Sequence, residues 1–491
     1  MNCENTLLLM QKKHLLLAFF FIFFLSYTNA QETWSLRKCI EYAEQNNLTL
    51  KSAKYNIEDA KLLEKRAKLA RTPNLSGTST FGFQFGRTVD PTTNSFRNQR
   101  IGFNSYNLNA NVTVFDGGRI RNTARQSNID VEAAKANADF TFNSLALSIA
   151  NAYLQILMAQ EQVENAKKRL DLSQKQLDQT DKMIQAGTLP QNDRLDVEAQ
   201  IARDEQSIIQ NQNTLDINYL NLRQLLELPP DADFKIERPE VIIPADANPE
   251  AKTFGEVYSA ALGTQPQIRA DELRLRSADV GVNLAKAGYF PTLSLFGGLN
   301  TNWSSASKDF QNPNLDNATL IQGPPTDAVI NGEPGQIAFF NSTGITFPDV
   351  SFFDQLDQNF GQNAGFSINI PFYSQGRNKV AVERAQVNVL NARVQSEQTK
   401  QQLKTDVLNA ITSARAAKRS LEAAQKSKKA AEAAFHNSEK RFQLGAINTF
   451  EFTTARNNFD IASVDVIVAK YEYLFRLKIV DFYLGKQLEL K

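Results

Sequence analysis

The sequence predicts a mainly α-helical fold that carries a membrane β-barrel portion. The building unit is helix, strand, strand, helix, helix, and it occurs twice. Three observations point there. The chain repeats itself at a near-constant offset. Its strand-like segments alternate apolar with uncharged polar residues. Its two longest helical segments carry an apolar period of about 3.5 residues.

The chain has 491 residues, with 54 Lys+Arg, 53 Asp+Glu, two His and two Cys. Lys12, Lys13 and His14 precede an apolar run from Leu15 to Leu25, and Thr28-Asn29-Ala30 ends on a small residue. That pattern reads as a signal peptide over 1–30. Removing it takes two lysines and one glutamate, which leaves basic and acidic residues in equal number. The mature chain keeps Cys39 and His436 alone of their kinds. No disulfide framework or Cys/His metal site can be built from them, so no metal or cofactor is expected. No catalytic residues are expected either: no phosphate loop is present, and Asp116-Gly117-Gly118 reads as a helix start after a strand. The balanced charge gives no nucleic-acid footprint. Beyond residue 30 no continuous apolar run is long enough for a membrane helix, which excludes a polytopic helical protein.

The first copy is expected over 31–228, a Pro-rich linker over 229–252, and the second copy over 253–491. Leu36–Ser76 and Phe254–Ser294 align without gaps at an offset of 218 (Phe254 against Leu36). Pro73-Asn74-Leu75-Ser76 faces Pro291-Thr292-Leu293-Ser294. Gly118 then faces Gly376, and Gly187 faces Gly445, at an offset of 258. The second copy therefore holds a longer insertion, placed at 304–358.

Each copy opens with an Ala/Lys/Leu/Glu-rich helix, about 35–70 in the first, which Pro73 must stop. Strands follow. Tyr106–Val114 alternates strictly. Phe81, Phe83 and Phe85 share one face against Thr78, Thr80 and Gln84. Leu293, Leu295 and Leu299 repeat the pattern, as do Phe366, Ile368 and Ile370. The polar faces are Asn, Ser, Thr and Gly with almost no charge. That suits an uncharged watery lumen on one side and lipid on the other. A secreted β-sandwich fits less well, because no second sheet is available to cover the apolar face. Four strands cannot close a barrel, and an open edge is not tolerated in lipid. Closure needs several chains. Two give eight strands with a filled interior; three give twelve and a lumen, which is the preferred count.

Long helices are expected over 119–185 and 377–443, each roughly 100 Å at 1.5 Å per residue. The first carries a seam of Leu145, Ile149, Ala152, Ile156, Ala159, Val163, Ala166, Leu170, Leu177 and Ile184. The second keeps the same phase from Leu403 and Val407 to Phe442. Each ends at a glycine turn, Ala186-Gly187-Thr188-Leu189-Pro190 or Leu444-Gly445-Ala446-Ile447-Asn448. The chain returns as a helix over about 190–228 or 449–484.

In this order of elements the chain resembles the TolC-like outer-membrane efflux protein family. The resemblance covers essentially the whole mature chain. It rests on the duplication, on Val114-Phe115-Asp116-Gly117-Gly118-Arg119 and Pro371-Phe372-Tyr373-Ser374-Gln375-Gly376-Arg377 at the strand-to-helix joins, and on the two glycine turns. It implies a homotrimer in outer-membrane lipid, a twelve-stranded β-barrel continued by a twelve-helix α-barrel across the periplasm. It implies a passive exit duct of a tripartite efflux system. A periplasmic adaptor would dock on the turns and link the duct to an inner-membrane RND or ABC transporter. The docking residues would be Gly187, Thr188, Leu189, Gly445, Ala446 and Ile447. Acidic residues six and nine positions after each glycine form a periplasmic gate in relatives; here they are Asp193, Asp196 and Glu451. Thr454 departs from that acidic pattern, and Ile447 stands where relatives can carry a basic tether. For Asp193 and Glu451, stabilisation of a helix first turn is an equal reading.

The outward loops differ in charge. Residues 86–102 hold Arg87, Arg97 and Arg100 against Asp90, whereas 304–358 holds seven acidic residues against Lys308. That asymmetry suggests an acidic lid pairing with the basic loop. Two other functions compete. An outer-membrane channel for type I protein secretion would use the same duct. A trimeric adhesin would place its strands together at the C-terminus, but here they come in two pairs between helices.

Overall fold

The computed structural model describes residues 33–89, 96–98, 100–231, 234–238 and 249–486. The signal peptide expected over 1–30, Asp90, and much of the 229–252 linker lie outside the described residues. In chain order the elements are β1 (Thr33–Trp34), α1 (Leu36–Asn46), α2 (Leu48–Leu69), β2 (Asn74–Gln84), β3 (Arg87–Val89), β4 (Phe96–Asn98), β5 (Ile101–Phe115), α3 (Arg119–Gln185), α4 (Asn192–Leu226), β6 (Lys235–Ile236), α5 (Phe254–Thr264) and α6 (Pro266–Lys286). After a 3₁₀ turn at Ala287–Tyr289 come β7 (Thr292–Ser304), β8 (Thr319–Gln322), β9 (Thr326–Ile330), β10 (Glu333–Ile337), β11 (Phe340–Thr343), α7 (Phe352–Gln358), β12 (Gly361–Asn369), α8 (Arg377–Gln443) and α9 (Thr449–Tyr483). The chain divides into a helical unit (33–61, 129–277 and 389–486) and a sheet unit (62–128 and 278–388).

The sheet unit is built on four antiparallel strands in the order β12-β7-β5-β2. Cross-strand register sorts the residues onto two faces. Leu75, Leu108, Val112, Leu295, Leu299, Phe366 and Ile368 fall on one; Ser76, Asn107, Asn109, Ser294, Asn300, Asn363 and Ser367 fall on the other. The alternation expected from sequence therefore holds over most of the sheet, with exceptions that include Ile101 on the polar face, opposite Gln84. Phe103 and Phe296 project from the polar face, opposite Gly82 and Gly365. A Cβ at either glycine would come within 2.8 Å of the ring. Each glycine leaves room for an aromatic ring across the strand pair. A bulge at Val114 shifts the register so that Phe115 pairs with Leu293, which keeps the ring on the apolar face.

Beyond the sheet, the 304–358 segment is structured. β8 pairs with β11 and β9 with β10 as nested hairpins. The inner turn is Asn331-Gly332, both at positive φ, as a tight hairpin requires. Ser351 caps α7 by accepting from the Asp354 amide at 3.2 Å. Gln355, fully buried, accepts from the Ser304 amide at 2.9 Å and so pins α7 to the end of β7. The basic loop turns its charge elsewhere: the Arg100 guanidinium lies 3.9 Å from the Phe83 ring centre, and that of Arg87 lies 5.2 Å from Phe96. Among the described residues Lys308 pairs with Asp349 inside its own segment, and no ion pair joins the two loops.

In the helical unit the opening helix breaks in two at Asn47, where one uninterrupted helix was expected. The buried Asn47 side chain accepts from the amides of Thr49 and Leu50 and donates to the Leu225 carbonyl at 3.0 Å. It thereby caps α2 and ties it to the end of α4. In the second copy the same break falls at Gln265, which Pro266 holds extended before starting α6. α3 and α8 are 67 residues each. By length and composition α3 has a window apolar enough to cross a bilayer, more apolar than the sequence reading allowed. Its Ile149, Tyr153, Ile156 and Leu157 are instead packed in a core with Leu36, Cys39, Leu222 and Ile236. Burial in that core pushes the Cys39 thiol up to about 12, so the lone cysteine is inert filler. A second core joins Val257 and Ala261 of α5 to Leu403, Val407 and Ala414 of α8.

Candidate functional site

The glycine turns that end α3 and α8 share one backbone design. Gly187 and Gly445 have φ of 72° and 70°. The Thr188 amide donates to the Met183 carbonyl and the Gly187 amide to Ile184, both at 2.9 Å. At the other turn the Ala446 amide donates to Arg441 at 2.8 Å and Gly445 to Phe442 at 2.9 Å. These paired bonds close the last helical turn and use carbonyls that the helix leaves free. A Cβ at either glycine would meet nothing within 4 Å. The positive φ, and not crowding, is what calls for glycine there.

The side chains around the turns form one small core. Phe442, Ile447 and Phe452 are buried, with Met183, Leu189 and Phe435 packed against them. The Phe442 and Phe452 rings stack with centres 4.9 Å apart. Leu189 and Ile447, both expected to face an adaptor, are thus partly or wholly spent on this core. Thr188, Gly187, Gly445 and Ala446 stay exposed.

The three acidic residues occupy different settings. Asp193 is half-buried, and its Oδ2 accepts from Thr449 Oγ1 at 3.0 Å. It thereby links the first turn of α4 to the first residue of α9. Asp196 and Glu451 are exposed. The Glu451 amide donates to the Asn448 side chain at 2.9 Å, the N-cap bond of α9. Arg194 lies between the helices of the first hairpin, 3.4 Å from Asp181 and 2.9 Å from Glu198. These carboxylates hold its guanidinium above its ordinary value, the Glu198 hydrogen bond first among the causes.

A second polar feature escaped sequence reasoning. The α3 seam was read through Leu170 and Leu177, yet the fully buried positions are Ser173 and Thr180. They continue the seven-residue step from Ala159 and Ala166. A search for apolar periodicity passes over them because they are polar. Ser173 donates to Asp204 of α4, itself buried, and Gln200 donates to the other Asp204 oxygen at 3.0 Å. Arg456 and Asp460 of α9 are buried beside them. Two buried carboxylates and a buried guanidinium in one seam are visible only once the three helices are placed.

Among the described residues no group of His, Cys, Asp and Glu could hold a metal ion. Asp116 Oδ2 accepts from the Ile120 amide at 2.8 Å, so Asp116-Gly117-Gly118 is a helix cap.

No curated protein sequence matches the chain. Solved structures do. CusC superposes with a TM-score of 0.71 at 18% identity, covering 94% of this chain and 96% of that one. The outer membrane protein VceC from Vibrio cholerae gives 0.71 at 18%, covering 92% and 97%. The CmeC outer membrane channel of Campylobacter jejuni gives 0.72 at 16%, covering 95% and 91%. The family model described as outer membrane efflux protein matches residues 39–227 and 352–486, which together are more than half of the chain. Duplicated helices, a sheet with one apolar and one uncharged polar face, and this family match agree: the chain belongs to the outer membrane efflux protein family and is an efflux channel of the outer membrane.

Proposed function

We propose that three copies assemble into a passive exit duct, with twelve strands closed as a barrel in the outer membrane and twelve helices continued as a tunnel in the periplasm. One observation carries this reading. Among the described residues the four-stranded sheet has two unpaired edges, β2 and β12, and an exposed apolar face that includes Leu75, Phe81, Phe366 and Ile368. Unpaired backbone groups cost several kcal/mol each in lipid. With an even number of antiparallel strands, β12 of one chain meets β2 of the next antiparallel, so a ring of identical chains closes without a mismatch. Eight strands would fill their interior with side chains, whereas twelve leave a lumen lined by Asn, Ser and Thr. The helices carry matching support. Val380, Val387, Val394 and Leu408 of α8 recur at multiples of seven and are exposed, the pattern of a coiled-coil seam that awaits a partner helix.

The duct is gated at the glycine turns. Asp193, Asp196 and Glu451 ring its narrow end, and a periplasmic adaptor, coupled to an inner-membrane RND or ABC transporter, docks on Gly187, Thr188, Gly445 and Ala446 and opens it. Native mass measurement after detergent extraction tests the assembly: a trimer is expected, and a stable water-soluble monomer would overturn it. For the gate, Asp193→Ala with Glu451→Ala should raise single-channel conductance in a planar bilayer. Unchanged conductance would assign both residues to helix capping and bracing alone.

A further inference from the structure

Three helices of the helical unit meet at one buried charged layer. Arg456 and Asp460, one turn apart on α9, are 5% and 8% exposed, and Asp204 of α4 is 4% exposed. The Arg456 guanidinium donates to the main-chain carbonyl of Arg169 on α3 at 2.6 Å. Its best hydrogen bond therefore goes to the backbone of another helix. Asp460 Oδ2 is left 3.8 Å from Arg456 Nε, beyond hydrogen-bond reach. Asp204, by contrast, accepts from both Ser173 and Gln200. The layer is unequal: one carboxylate accepts two hydrogen bonds, and the other, on a side chain 11% exposed, has its ion-pair partner 3.8 Å away.

The charged groups that face Asp460 are Arg456 on its own helix, Arg169 on α3 and Asp204 on α4. α8 packs on α9 through Phe435 against Phe459; beside that contact His436 and Glu439 pair with each other at 3.4 Å and are exposed. By sequence the layer lies 11 to 18 residues from the glycine turns, about 17–27 Å along a helix at 1.5 Å per residue.

We propose that this layer is a proton-operated latch: protonated Asp460 keeps α9 packed on α3 and α4, and loss of the proton favours a state in which α9 shifts and the carboxylate reaches water. A neutral carboxyl tolerates burial, whereas an ionised one without a hydrogen-bonded partner does not. Burial first, with Asp204 adding repulsion, pushes Asp460 up to about 6 from an ordinary 3.8, against the pull of Arg456 and Arg169. The sign follows. Between those two values an exposed Asp460 has released its proton while the buried one keeps it, so acid favours the packed state. Above about 6 both forms are ionised and the cost of burial is complete. The ratio of packed to shifted states should fall by up to about a hundredfold between pH 4 and pH 7. If the helices form the proposed duct, the latch holds its hairpins in acid and frees them near neutrality. That consequence rests on the duct reading, while the titration does not.

Hydrogen exchange of the α9 backbone over 449–463, in the full-length protein in detergent and corrected for the intrinsic pH dependence of exchange, tests the latch directly. The logarithm of protection should fall across the window from about pH 4 to about pH 6 and level off above it. Asp460→Asn should remove the transition and keep the acid level of protection throughout. Asp204→Asn should move the midpoint to lower pH, and His436→Gln should leave it in place. A wild-type protein without the transition, or an Asp460→Asn protein that retains it, would overturn the latch. Should the Asn variant not fold, the wild-type profile and the Asp204→Asn midpoint still decide. Because this readout needs neither trimer nor conductance, its failure is separate from failure of the duct.

Discussion

The two glycine turns have the same backbone and different fillings. Both close with the same pair of carbonyl bonds and the same left-handed glycine. At Gly445 the turn brings its own core, Phe442, Ile447 and Phe452. Asn448 then starts the return helix with a side-chain cap. At Gly187 the turn contributes Met183 and Leu189 to that same core. Its return helix starts at Gln191 with no side-chain cap bond. The second hairpin is thus the anchor and the first leans on it. Backbone geometry is duplicated because glycine alone supplies it. Packing is not duplicated, since one core serves both turns.

The sharpest way to break this asymmetry is to remove the anchor. Phe442→Ala should cost about 3–5 kcal/mol, the range for a fully buried aromatic side chain. Leu189→Ala, at the rim of the same core, should cost distinctly less. Thermal denaturation of the detergent-solubilised protein compares the two. Equal losses would mean that each turn holds its own core. Next in size comes a pair that should not differ. Gly187→Ala and Gly445→Ala face open space, so each should cost about 1–2 kcal/mol from the left-handed backbone alone. A gap of more than about 1 kcal/mol between them would show that one glycine meets a contact in the assembly. A lysine at either position would then separate docking from folding, by removing efflux in cells while the trimer persists.

Much of the fold was legible because it depends on periodicities. Strand alternation and the heptad seam are repeating signals, and the bounds 119–185 and 377–443 match α3 and α8. The glycine turns were legible too, since a helix end followed by Gly has few alternatives. What was not legible depends on pairs of residues far apart in sequence. Asn47 breaks its helix because Leu225 offers a carbonyl. Ser173 and Thr180 hide in the seam because they are polar. Asp193 is an acidic residue six positions after a glycine, but its partner Thr449 is 256 residues away. The 304–358 segment read as a loop because its composition is Asn, Pro, Gly and Ser. Its hairpins are short, and their pattern is weaker than that of the long sheet strands.

The smallest expected effect bears on whether Asp193 is a brace or only a gate. The Thr449 hydroxyl is buried and donates to a carboxylate, so the bond joins the leaning turn to the anchor. Thr449→Val keeps the shape and removes the donor. It should cost about 1 kcal/mol, because a half-exposed carboxylate recovers part of its hydration. Asp193→Ala alone should cost a similar amount. If the two residues act through this one bond, the double variant should lose little more than either single, with a coupling of roughly 0.5–1.5 kcal/mol. Additive losses would mean that the bond does not join the hairpins. Asp193 would then act by charge, and its removal should change conductance without changing stability.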